Sequence, residues 1–267
     1  MEGTPEHRRG GPTLLGVPLT YIPVWAALIA ALSLIPVSPL VGGGGFFTLS
    51  MAAAPAVGIA LGPWAGALAA LIGGYAGAAL APYSAILGPL EPLPRAFEAL
   101  VAGLLVHRRR WVALATLAVG PLLLLAFWSS FPLLGSEFPR CALPPPISGL
   151  SPYAGFLFGV THVWPSWILL LTSFGRVRGW VSRGGFRELT ASTFVIVYYS
   201  SSSAGHVLGS ILALHLYRLP LSVYVYAALT VTWAERLLIS LCGSLVAAAA
   251  VTAVRRVGAR KPPCVVW

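Results

Sequence analysis

Long apolar segments, separated by short polar or Pro- and Gly-rich stretches, occupy most of this chain. A helix needs about 20 predominantly apolar residues to cross the hydrocarbon core of a bilayer. The pattern predicts eight apolar segments, at 14–35, 46–61, 64–80, 93–107, 111–131, 153–174, 189–216 and 221–254. We expect the first to kink near Pro18 and Pro23. We expect the last, which is too long for one crossing, to break near Glu235 and Arg236, with 221–233 at the outer surface.

Composition supports a membrane protein. Of the 267 residues, 57% are hydrophobic and only 9% are charged, whereas a soluble domain has about 25% charged residues. The sequence therefore predicts an all-α, polytopic membrane helix bundle of six to eight transmembrane helices, multi-pass in the cell membrane. We expect one transmembrane domain at 14–254, between cytoplasmic tails at 1–13 and 255–267. The number of crossings changes if 46–61 and 64–80 form a re-entrant hairpin.

The positive charge is distributed in a way that predicts the topology. The net charge of +10 comes mainly from clusters beside apolar segments, at 8–9, 108–110, 176–187 and 255–261. Basic residues flanking membrane segments are typical of the cytoplasmic side, so both termini are predicted to be cytoplasmic. A nucleic-acid site would more typically form one basic patch with interleaved aromatic residues, and we expect no nucleic-acid partner.

The segment 41–110 is rich in Gly and Ala and is interrupted by prolines. Small residues let membrane helices pack closely, and backbone breaks within membranes usually line a cavity. Upstream, Ala26 and Ala30, and Ala27 and Ala31, form two overlapping AxxxA pairs, each on one helix face. The pattern predicts a bundle that surrounds something small.

The order of these motifs resembles the substrate-binding S component of energy-coupling factor (ECF) transporters. The similar stretches are WAALIAAL at 25–32, GPWAGA at 62–67, PRAFEALVAGLL at 94–105 and AERLLISLCGSLVAAAAVTAVRR at 234–256. The resemblance implies a membrane-embedded subunit that binds a vitamin or other micronutrient as its small-molecule substrate. That subunit topples in the lipid against a transmembrane coupling subunit, which two ATPase subunits drive.

The resemblance also implies roles for particular residues. It assigns partner docking to Ala26, Ala27, Ala30 and Ala31, and closure over the substrate to the loop 41–47. This chain has no phosphate-binding loop of the ATPase type, so any use of ATP is expected to belong to the partner subunits. We also expect no enzymatic activity, no cofactor, no catalytic residue and no metal in this chain. It departs from the family in having eight predicted segments instead of six. It also has Gly73-Gly74-Tyr75 where many members have an acidic residue.

Polar residues within the apolar segments are candidates for substrate binding, because such residues inside a membrane are often functional. Tyr198, Ser202 and His206 recur every four residues, which predicts one shared face. The alternative is that the serines bond to backbone carbonyls and His206 satisfies a neighbouring helix. His162 is expected to pack in the interior, and Glu235 and Arg236 to anchor the helix at the interface.

Arg95 and Glu98 lie one turn apart in the fourth segment. They form either an ion pair at the interface or a site that orients a polar substrate group. Phe46, Phe47 and Tyr75 complete the predicted substrate-binding set.

Two other function classes stay open at this stage. His206 and Gly209 match the HxxG pattern of rhomboid-like intramembrane proteases, which would require Ser151 within hydrogen-bond reach of the imidazole. The other class is a non-catalytic assembly subunit, which predicts an interior filled by side chains.

Overall fold

The computed structural model describes residues 12–40, 45–133, 160–219, 221–256 and 262–267, and they form a bundle of helices with little sheet. The described helices are α1 Tyr21–Leu32, α2 Ser50–Leu61, α3 Pro63–Leu80, α4 Pro92–Leu105, α5 Arg110–Thr116, α6 Val119–Leu133, α7 Val163–Arg183, α8 Phe186–Tyr199, α9 His206–Tyr217, α10 Leu221–Ala227 and α11 Trp233–Arg256. Two short antiparallel pairs join β1 Thr13–Leu14 to β2 Val17–Pro18, and β3 Pro36–Pro39 to β4 Phe46–Thr48.

Three helical stretches among the described residues are long and apolar enough to cross a membrane. They are Pro63–Leu80, Arg110–Ser130 and Val223–Arg256. Helices α1 and α2 have 12 residues each, a length of about 18 Å, which is shorter than the roughly 30 Å hydrocarbon core. The prediction of a helical bundle is confirmed, and the three apolar stretches fit a membrane protein. The number of crossings and the cytoplasmic position of both termini stay predictions.

The first apolar segment is not one kinked helix from residue 14, and that prediction is wrong. The β1–β2 hairpin occupies its start, and its turn places Leu15 and Gly16 at positive φ, 54° and 82°. The helix begins only at Tyr21. Pro23 lies in its first turn, where the missing N–H has no intrahelical partner to lose.

The last apolar segment does not break at Glu235 and Arg236, and this prediction is also wrong. Helix α11 runs through both residues, and a π-helical segment, Ala228–Thr232, joins it to α10. A second π segment, Ser200–Gly205, joins α8 to α9, so one helical run covers the predicted segment 189–216. Single π turns inside α-helices frequently occur at functional sites.

Small residues determine how the central helices pack, as the sequence predicts. Every residue of α2 is buried. A Cβ atom added to Gly58 would overlap the carbonyl oxygen of Ala99 on α4, and one on Gly66 of α3 would lie 2.6 Å from the Cα of Gly58. At Gly103 of α4, an added Cβ would lie 2.5 Å from the backbone of Pro63. Helices α2, α3 and α4 are therefore packed with their backbones in direct contact at these glycines.

Basic residues from several segments gather at one end of the bundle. Arg178 donates hydrogen bonds of 3.0 Å to the carbonyl oxygens of Leu105 and His107, and Arg255 donates one of 3.0 Å to that of Gly184. Residues 262–267 fold back onto the same end, where the Trp267 indole donates to the Ile59 carbonyl at 2.7 Å. We call this the arginine end. Residues 1–11 and 257–261 of the predicted tails lie outside the described residues.

Candidate functional site

A cavity of about 110 Å³ lies at the end of the bundle opposite the arginine end. Helix α4 relates the two ends, because Pro94 in its first turn lines the cavity while Leu105 at its last turn contacts Arg178. The paired strands β3 and β4 form part of the wall through Pro39 and Phe47, together with Leu40 directly after β3. Helices α9 and α10 and the π segment before α11 form much of the remainder.

Both π segments border this cavity. Gly205 at the end of the first one and Val231 and Thr232 in the second one line it. The first contains four consecutive serines; Ser200 bonds back to the Ile196 carbonyl at 2.9 Å. Such side-chain bonds compete with the regular helical ladder, and the widened turn brings Gly205 to the cavity wall.

Two histidines face each other at the cavity. The His162 and His206 rings meet edge to face, with centroids 4.7 Å apart, and both residues line the wall. His162 is only 3% exposed, and neither of its ring nitrogens has a hydrogen-bond partner. Its burial agrees with the expectation that His162 packs in the interior, and the residue also contributes to the cavity wall.

Glu235 and Arg236 are buried, so the prediction that they anchor the helix at the interface is wrong. They form an ion pair, and Glu235 Oε2 accepts a 2.8 Å hydrogen bond from the Ser38 hydroxyl in β3. Arg236 is fully buried; it donates to the Ser201 carbonyl of the first π segment at 3.4 Å, and its guanidinium lies 5.7 Å from the Phe47 ring centroid. These partners hold both side chains inside the bundle, away from its surface.

The predicted pairing of Arg95 with Glu98 does not form. Arg95 instead pairs with Glu91 at 3.1 Å and donates, at 3.4 Å each, to the Ser33 hydroxyl and the Ser84 carbonyl. It thereby joins the end of α1, the 3₁₀ turn at 82–84 and the start of α4. Arg95 does not line the cavity, so its contacts indicate a structural role.

Glu98 is the most isolated charged group of the described structure. It is fully buried, and neither carboxyl oxygen has a hydrogen-bond partner. Its side chain lies directly against Gly205, where an added Cβ would overlap the Glu98 carboxyl group. Only glycine leaves room for Glu98 at this point of the cavity wall.

Of the predicted face of Tyr198, Ser202 and His206, only His206 lines the cavity. The Tyr198 hydroxyl donates to the His162 carbonyl at 3.3 Å, and Ser202 is buried with no partner for its hydroxyl. The π segment explains the difference, because a π turn contains more residues than an α turn. Residues four positions apart therefore do not share one helix face across the π segment.

Of the predicted aromatic residues Phe46, Phe47 and Tyr75, only one lines the cavity. Phe47 lines the cavity, but Phe46 is exposed and packs edge-on against Tyr83, with centroids 6.1 Å apart. Tyr75 is 49% exposed, and no residue of α3 lines the cavity. The placement of Phe46 and Tyr75 thus disagrees with their predicted role. Residues 41–44 of the predicted closing loop lie outside the described residues.

The two AxxxA pairs of α1 face different surroundings. Ala26 and Ala30 are buried against α3, where a Cβ on Gly73 would lie 2.6 Å from the Ala26 carbonyl oxygen. Ala27 and Ala31 are exposed. Intrachain packing therefore uses the first pair, and only the second pair is accessible to a partner.

The sequence analysis did not place Glu91, His162 and Glu235 in this site, although all three line the cavity. The sequence feature that could have identified them is the scarcity of ionisable residues: the whole chain has only seven acidic residues and five histidines. Burial of such groups in a membrane is costly, so the few that occur within apolar segments are candidates for function. Among the described residues, no group of three or more side chains is arranged to hold a metal ion. Ser151 of the predicted protease dyad lies outside the described residues.

No protein-family model matches this chain, and neither a curated protein nor a solved structure matches it. The interpretation of the cavity therefore depends on its own geometry and on the motifs quoted above.

Proposed function

We propose that this chain is the membrane-embedded, solute-binding subunit of an ECF-type importer, multi-pass in the cell membrane, for a vitamin or other micronutrient. The observation that carries the proposal is the cavity opposite the arginine end, whose wall includes His162 and His206. If the arginine end is cytoplasmic, as the positive-inside rule favours, the cavity is on the outer side, where an importer receives its solute.

The cavity supports solute binding over a purely structural subunit, whose interior we would expect to be filled. The sequence contains no phosphate-binding loop, so in this proposal partner ATPase subunits hydrolyse ATP. A transmembrane coupling subunit connects them to this chain. Lipid surrounds the apolar faces of the bundle. We assign the chain itself no catalytic role.

The paired strands β3 and β4 are the proposed gate, because Pro39 and Phe47 line the cavity and Ser38 of β3 bonds to Glu235 of α11. A hydrogen bond to a charged group contributes about 1.5 kcal/mol or more. We expect Ser38→Ala to accelerate amide hydrogen exchange in 36–40 and 45–48 roughly tenfold. The matched control is Ser129→Ala, whose hydroxyl bonds only within its own helix. Unchanged exchange in Ser38→Ala would count against this gate.

The exposed alanine pair predicts how the importer assembles. We expect Ala27→Leu and Ala31→Leu together to abolish co-purification with the coupling subunit while leaving the melting temperature unchanged, because the leucines project from an exposed face. The matched control is Ala26→Leu with Ala30→Leu, which should lower the melting temperature by overpacking against α3. Failure of the wild-type chain to co-purify with any coupling subunit would refute the importer assignment.

A further inference from the structure

We propose that the cavity selects a small organic cation, an ammonium or amidinium group on an apolar body. This inference rests on the proposed function, since it concerns the solute of the same cavity. Three observations support it: the set of buried charged residues, the carboxylates that line the cavity, and the apolar side chains in the remainder of the wall.

The buried charges do not balance. Among the described residues, five buried side chains carry formal charge, namely Glu91, Arg95, Glu98, Glu235 and Arg236. Each arginine is paired with one glutamate, Arg95 with Glu91 and Arg236 with Glu235. Glu98 is left without a hydrogen bond or an ion pair. Because an unpaired buried charge is costly, burial favours the neutral form of Glu98, and a positive charge at the cavity would stabilise its ionised form.

The arrangement of the pairs gives the cavity an acidic wall. Glu91 and Glu235 line the cavity, whereas Arg95 and Arg236 lie behind them and do not. Ionised carboxylates only accept hydrogen bonds. The polar part of the wall therefore suits a solute that donates N–H groups and disfavours one that carries a carboxylate or phosphate.

Glu98 lies directly behind the wall at Gly205, which lines the cavity. No side chain at this position separates the Glu98 carboxyl group from the cavity. Charge interactions strengthen as the dielectric constant falls, so Glu98 acts on a solute charge at this position more strongly than it would in water.

The remainder of the wall suits an apolar body. Phe47, Phe127 and Tyr224 line the cavity, with Phe127 and Tyr224 in edge-to-face contact at 5.3 Å. Aromatic faces attract cations as well as apolar groups. At 10–15 Å³ for each water-sized position, the volume of about 110 Å³ corresponds to roughly 7 to 11 such positions, which suits a body about the size of a benzyl group.

Three probes of equal size and different charge test this inference on the full chain purified in mild detergent. They are benzylammonium, benzyl alcohol and benzoate, with dissociation constants measured by calorimetry at pH 7. We expect benzylammonium to bind at least tenfold more tightly than benzoate, with benzyl alcohol between them. Glu98→Gln should reduce the advantage of benzylammonium about tenfold and change benzyl alcohol binding less than twofold. Glu188→Gln, near the arginine end, should change neither.

The outcomes separate this inference from the proposed function. Equal or tighter binding of benzoate by the wild-type chain overturns the cation inference and leaves solute binding standing, and this comparison does not depend on any variant folding. If none of the probes binds but a solute co-isolates, a cationic solute supports the inference and a neutral or anionic one overturns it. If no probe binds and nothing co-isolates, both the inference and the proposed function fail.

Discussion

Replacing Arg236 with methionine is expected to lower the free energy of unfolding by about 3–5 kcal/mol, the range for removing one partner of a buried ion pair. Arg236 is fully buried, pairs with Glu235 and bonds to the Ser201 carbonyl. Its removal leaves the buried Glu235 carboxylate without a counter-charge. Thermal or denaturant unfolding in detergent measures the loss.

Two variants make this prediction specific. Arg256→Met, at the exposed end of α11, should change stability by less than about 0.5 kcal/mol. The double variant Arg236→Met with Glu235→Leu should regain part of the loss, because it removes the orphaned carboxylate together with its partner. A single Arg236→Met variant as stable as the wild type would show that this pair is not buried.

Gly58→Ala is expected to lower the free energy of unfolding by roughly 2–3 kcal/mol, in the upper part of the range for overpacking. The new methyl group would overlap the carbonyl oxygen of Ala99, a backbone atom that cannot rotate away. Because Gly66 also packs against Gly58, the change would separate α2 from both α3 and α4.

The control for this prediction is Gly175→Ala on α7, where an added Cβ has no neighbour within 4 Å. Alanine is a better helix former than glycine by about 0.8–1.0 kcal/mol, so this variant should keep or raise stability. Equal melting temperatures for the two variants would contradict the close approach of α2 and α4.

The apolar pattern predicted most helices, because burial and lipid exposure both require apolar residues at helical spacing. The segments 64–80, 93–107 and 189–216 agree closely with α3, α4 and the run from α8 to α9. The pattern failed at 14–20 because Leu14, Val17 and Leu19 are as apolar in a hairpin as in a helix. Local turn geometry at Leu15 and Gly16 decided that segment.

The site was less predictable than the fold for a physical reason. A charged residue near the end of an apolar segment is compatible with two positions, at the interface or inside the bundle, and hydropathy gives no choice between them. The partners decide it: Ser38 and the Ser201 carbonyl draw Glu235 and Arg236 inward. Both partners are distant in sequence from Glu235 and Arg236. One of them is a backbone carbonyl in a π-helical segment, which the residue pattern did not predict.

The central claim is that the cavity binds a solute, and native mass spectrometry of the full chain tests it most directly. Gly209 lines the cavity, and a Cβ there would lie 3.7 Å from Pro94, an ordinary contact. Gly209→Leu should therefore fold while its side chain fills the cavity. Gly179→Leu, where an added Cβ has no neighbour within 4 Å, is the matched control.

The account predicts that the wild-type chain and Gly179→Leu, gently purified, each carry a small molecule in addition to the mass of the chain, and that Gly209→Leu does not. A wild-type chain that carries no small molecule, or a Gly209→Leu variant that carries the same one to the same extent, would contradict it.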